Sequence, residues 1–144
     1  MRAGIKGKSI ALVAPAQAGD NAATPGSLIV TARLADCRRP VRLKLDSGSN
    51  APFLYNTSDC VTPEEFQGAS LQGRATNGAQ RTFRALSPQN VKIGSVEISG
   101  VSFVTLAGAR EDSRTSDYDG LLTVRLFKRV FVNHADHFAV LEPW

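Results

Sequence analysis

Residues 41–50 read Val-Arg-Leu-Lys-Leu-Asp-Ser-Gly-Ser-Asn. Apolar Val41, Leu43 and Leu45 alternate with Arg42 and Lys44, the period of a strand with one face in a core. The alternation stops at Asp46-Ser47-Gly48-Ser49. Asp and Ser bond to nearby backbone, and Gly permits close approach or a positive φ. The strand therefore delivers a carboxylate onto a tight, rigid turn. A triplet of this kind arises by chance in roughly one chain in fifteen of this length. Its weight therefore depends on what surrounds it.

The surroundings are mostly β. Strand-like segments fall at 27–34, 41–45, 51–55, 68–74, 80–86, 90–93, 96–106, 129–133 and 138–141. Thr76-Asn77-Gly78-Ala79 is the clearest hairpin signal, since Asn-Gly suits a type I′ turn. Ile93-Gly94-Ser95 and His134-Ala135-Asp136 mark two further turns. Helical pattern is scarce. Residues 121–130 are expected to form one short helix, with Leu122, Leu126 and Val130 on one face. Thr62-Pro63-Glu64-Glu65-Phe66 reads as a single helical turn, capped by Thr62 with Pro63 at the first helical position. Residues 109–116 read as a polar loop. Many short strands with little helix predict an all-β barrel or sandwich.

At 144 residues the chain is long enough for one domain with a sizeable core. Hydrophobic residues make up 42% and no apolar run is long enough to span a membrane. The net charge is +4. The basic residues are scattered, without a dense run or aromatic interleaving. They read as solvated surface, not as a nucleic-acid footprint. Cys37 and Cys60 have no CxxC spacing and cannot make a zinc set with two His. One disulfide and two free thiols both remain open. His134, Asp136 and His137 are ordinary metal ligands, but they sit in a tight turn before the last strand and alternation separates the two His. No metal and no cofactor are expected.

The N-terminus has two readings. Arg2, Lys6 and Lys8 precede a short apolar stretch, Ile10–Ala14, and Ala16-Gln17-Ala18 has the look of a cleavage site, as in a signal segment of an extracytoplasmic bacterial protein. Alternatively residues 8–15 are a strand, since they resemble 137–143, and 16–26 a linker. The strand would then be the tail of a preceding lobe. We take residues 1–26 as strand and linker and residues 27–144 as the domain.

Strand, hairpin, strand, Asp46-Ser47-Gly48-Ser49, a hairpin with a Gly-bearing tip, a long β segment and then Tyr118-Asp119-Gly120-Leu121-Leu122 follow in order. Next come residues 126–133 and a closing strand ending Leu141-Glu142-Pro143. This order resembles the bacterial retropepsin-like aspartic proteases, relatives of one pepsin lobe. The resemblance covers residues 27–144. It implies a closed β-barrel of the acid-protease kind with one short helix. Asp46 would be the catalytic aspartate, Ser47 and Gly48 would complete its loop, and the small side chain of Ser49 would hydrogen-bond it. Gly73, Arg74, Asn77 and Gly78 would belong to a flap over the substrate. Gly120, Leu121 and Leu122 would be the apolar segment threaded beneath the catalytic loop.

The implied function is an endopeptidase acting on peptide or protein. Its second carboxylate would come from a homodimer partner or from another lobe, because this chain has a single Asp-Ser-Gly. Such proteins usually carry Gly after the apolar pair, where this chain has Thr123. A β-branched residue at that close approach supports a second reading, a silent lobe kept for peptide binding or pairing.

Overall fold

The computed structural model describes residues 7–12, 28–55, 70–74, 78–106 and 118–144. Among these, twelve strands carry almost all regular structure. They are β1 (Lys8–Ala11), β2 (Ile29–Leu34), β3 (Val41–Asp46), β4 (Phe53–Leu54), β5 (Ser70–Arg74) and β6 (Gln80–Ala85). The second half adds β7 (Gln89–Ile93), β8 (Val96–Val101), β9 (Val104–Leu106), β10 (Gly120–Thr123), β11 (Phe127–Asn133) and β12 (Phe138–Pro143). Asn77, Cys60, the turn expected at 62–66, the linker at 16–26 and the loop at 109–116 lie outside the described residues.

Nine strands form one sheet in the order β5-β6-β9-β4-β10-β3-β2-β7-β8, and β1-β12-β11 form a second. Alternation decides which side of each strand is buried. In β3, Val41, Leu43 and Leu45 are buried while Arg42, Lys44 and Asp46 are half-buried. In β2, Val30, Ala32 and Leu34 face the same core. Leu54, Val91, Ile93, Phe103, Leu122 and Leu141 complete its centre. Each of the larger side chains, Val, Leu, Ile and Phe, contributes roughly 1.5–3 kcal/mol by leaving water.

The helix expected at 121–130 is not formed. Its residues are divided among β10, a 3-10 turn at Val124–Leu126 and β11. Leu122 is buried in β10 beside Leu45, and Val130 pairs with Leu141 in the other sheet. A helix makes its backbone hydrogen bonds internally and could not supply the strand pairs that these residues make in two sheets. Thr123 has extended geometry and caps the turn by accepting from the Arg125 amide. The segment expected as one strand at 96–106 is divided into β8 and β9.

The N-terminal strand is present. β1 pairs antiparallel with β12 of the same chain, from Lys8 with Leu141 to Ala11 with Phe138. Ile10 is buried in the main core, and the Leu12 amide donates to the His137 carbonyl at 2.9 Å. Cys37, in the turn after β2, is disulfide-bonded. None of the described helical residues is long and apolar enough to cross a membrane.

Candidate active site

β3 ends on Asp46, and the chain turns at once through Ser47 and Gly48. The Gly48 amide donates to Asp46 Oδ1 at 2.8 Å. That bond fixes the carboxylate against its own loop. A Cβ at residue 48 would come to 3.3 Å from the same oxygen, so glycine keeps the approach open. Asp46 is half-buried, accessible from the outer face of β3.

Ser49 acts differently from the expectation. Its hydroxyl donates to the Ala51 carbonyl at 2.5 Å, stiffening the loop beyond the carboxylate. The group that reaches Asp46 is the Gly48 amide.

β10 inserts between β3 and β4. It runs parallel to β3, with Gly120 opposite Leu43, Leu121 opposite Lys44, Leu122 opposite Leu45 and Thr123 opposite Asp46. It runs antiparallel to β4, with Gly120 opposite Leu54 and Leu121 opposite Phe53. Asp119 stitches the entry to this strand. Its carboxylate accepts from the Arg42 amide at 2.8 Å, its amide donates to the Arg42 carbonyl at 2.6 Å, and its carbonyl accepts from the Tyr55 amide at 2.9 Å. The sequence pattern does not single out this role, because an Asp before a Gly looks like an ordinary turn residue.

Thr123 has a specific task. It is buried, and its hydroxyl donates to the Ser49 carbonyl at 2.7 Å while accepting from the Arg125 amide at 3.3 Å. One side chain thus joins the 3-10 turn to the Asp46 loop. Thr123→Val keeps the shape and deletes both bonds. The expected loss is about 1 kcal/mol of stability, read as a lower Tm, with Thr123→Ser retaining most of it.

The hairpin β5–β6 has its pairs from Ser70 with Arg84 to Arg74 with Gln80. Gly73 lies against Phe83: a Cβ there would be 2.7 Å from the ring. Gly78, between β5 and β6, has φ +80, a conformation that suits glycine. β5 is largely exposed, most of β6 is half-buried, and β6 joins the sheet through β9. Asp136 of the His134–His137 turn bonds Asn133 through both its carboxylate and its amide.

No family model matches the chain, and no curated protein matches it. Among solved structures, a retropepsin-like aspartic protease from Rickettsia conorii is similar. The TM-score is 0.54 at 15% sequence identity, over 94% of this chain and 88% of that one. At that identity the likeness establishes the fold, which is all-β and retropepsin-like.

Proposed function

We infer that this chain is one half of an aspartic endopeptidase. The observation that carries the reading is the placement of Asp46. A half-buried carboxylate, held by the Gly48 amide, ends a core strand whose loop is braced by Thr123 from the inserted β10. A retropepsin-like fold surrounds it.

The chemistry needs two carboxylates. One takes a proton from water as the other, protonated, polarises the scissile carbonyl. Asp46 alone cannot do both. The second is Asp46 of another copy, or an equivalent Asp of a neighbouring lobe. A hollow beside Ser47, lined by Leu28, Val124, Phe127 and Val130 and by the basic Lys128 and Arg129, supports pairing near the loop. So does Trp144, which is 84% exposed and donates to the Arg125 carbonyl within the 3-10 turn. The β5–β6 hairpin would serve as the flap, and extended peptide would lie along the sheet under it as an added strand.

The test is a peptide-cleavage assay from pH 3 to 7, with and without pepstatin, across a range of protein concentrations. Pepstatin-sensitive cleavage whose rate rises faster than linearly near the dimer dissociation constant is the expected result. A chain that light scattering shows to be monomeric, yet cleaves in proportion to its concentration, would defeat the homodimer. Peptide binding without any cleavage would favour the silent lobe.

A further inference from the structure

The alternation of β3 puts Lys44 on the same half-buried face as Asp46, two residues earlier and roughly 7 Å away along the strand. Across the sheet its neighbour on that face is Leu121, and Leu121 in turn pairs with Phe53. The Lys44 ammonium lies 5.6 Å from the centroid of the Tyr118 ring. From Tyr118 a row of rings continues through Tyr55, Phe53 and Phe83, with centroid separations of 5.9, 5.3 and 6.0 Å. All four rings are half-buried. The face beside the carboxylate is therefore an apolar and aromatic shelf with one ammonium group let into it.

A bare structural account of Lys44 is weak. An apolar residue would suit Leu121 and Phe53 better, since a partly buried ammonium loses hydration. Resting on a ring offsets some of that loss and keeps the charge. Among the described residues no carboxylate pairs with Lys44. Two residues further back on the same face, Arg42 Nε is buried with no hydrogen-bond partner among the described residues. Among the described residues, neither the Lys44 ammonium nor Arg42 Nε has a hydrogen-bond acceptor.

We propose that Lys44 determines specificity, and that the substrates are peptides carrying a glutamate or aspartate beside the scissile bond. This rests on Asp46 being the catalytic carboxylate. The acidic side chain lays its stem on Leu121 and Phe53 and sets its carboxylate on the Lys44 ammonium. Lys44 does not take part in the proton transfers.

Binding separates this proposal from the peptidase reading, because Asp46→Asn binds peptide without needing to cut it. Three fluorescent octapeptide pools, with Glu, Gln or Lys fixed at the fourth position, are titrated by polarisation into Asp46→Asn. The same is done with the doubles carrying Lys44→Gln or Lys44→Glu. The Glu pool is expected to bind about fivefold more tightly than the Gln pool, with the gap narrowing in high salt. Lys44→Gln should close the gap, and Lys44→Glu should make the Lys pool the tightest. Thermal melts of all three proteins check that the fold is kept. Equal binding of the pools, a Glu preference that survives Lys44→Gln, or no binding at millimolar peptide would each overturn the proposal. Failure of the Asp46-intact chain to cut the Glu pool, with the binding preference present, would sink the peptidase and leave Lys44 as a binding determinant.

Discussion

Asp46→Asn is expected to lower kcat/KM for peptide cleavage by about 10³-fold or more, with little change in folding. An amide cannot accept the proton of the attacking water or return it, and positioned acid–base groups supply rate factors of that order. The substitution is close to isosteric. The Gly48 amide can still donate to the remaining side-chain oxygen, so the loop should keep its shape. The same variant reports on pairing. Mixed in threefold excess with wild type, it leaves roughly one pair in sixteen with both carboxylates, if copies pair at random. Activity per wild-type chain should then fall to about a quarter. Activity that stays constant per wild-type chain would show that each site is completed within one molecule.

Gly120→Ala is expected to be the most destabilising single-methyl change in the described structure. A Cβ at residue 120 would stand 2.0 Å from the Phe53 carbonyl oxygen and 3.1 Å from the Leu54 Cα. Both are backbone atoms, so no rotamer relieves the clash. β10 must move away from β4 and disturb its pairing with β3. A cost of about 3 kcal/mol or more is the scale for forced backbone shifts in a packed core. For a chain of this size that is about 10 °C in Tm. Gly78→Ala is the control: φ is +80 but nothing lies within 4 Å. It should cost about 1–2 kcal/mol through backbone strain alone. Equal melting of the two variants would show that β4 and β10 are not locked together as described.

Much of the frame is legible in the residues because strand alternation is a local signal. Val41, Leu43 and Leu45 declare their buried face without knowledge of the partner strands, and Gly78 declares its turn. The segment 121–130 misleads because Leu122, Leu126 and Val130 recur at helical spacing for unrelated reasons. Leu122 packs in the core beside Leu45, while Val130 pairs with Leu141 in the other sheet. Short apolar runs do not distinguish these cases. The residues do suggest β1 as a strand, but its pairing with β12 joins opposite ends of the described chain, and pairing partners carry no local mark. Cys37 is bonded, which its spacing left open. The Asp46 turn is visible from its residue types. Asp119 binds β3 at Arg42 and Thr123 binds the loop at Ser49 through long-range hydrogen bonds, at sequence separations of 77 and 74. Lys44 looks like solvated surface until Tyr118 is placed beneath its ammonium.

The insertion of β10 also sets a time order on the molecule. Translation delivers Asp46 first, and the strand that braces it is made more than seventy residues later. Contacts so distant along the chain close late in folding. A ribosome-bound fragment thus displays the carboxylate without Thr123 to clamp its loop, and without the Leu122 packing that stiffens β3. The loop that carries Asp46 therefore reaches its final form only after β10 has been made.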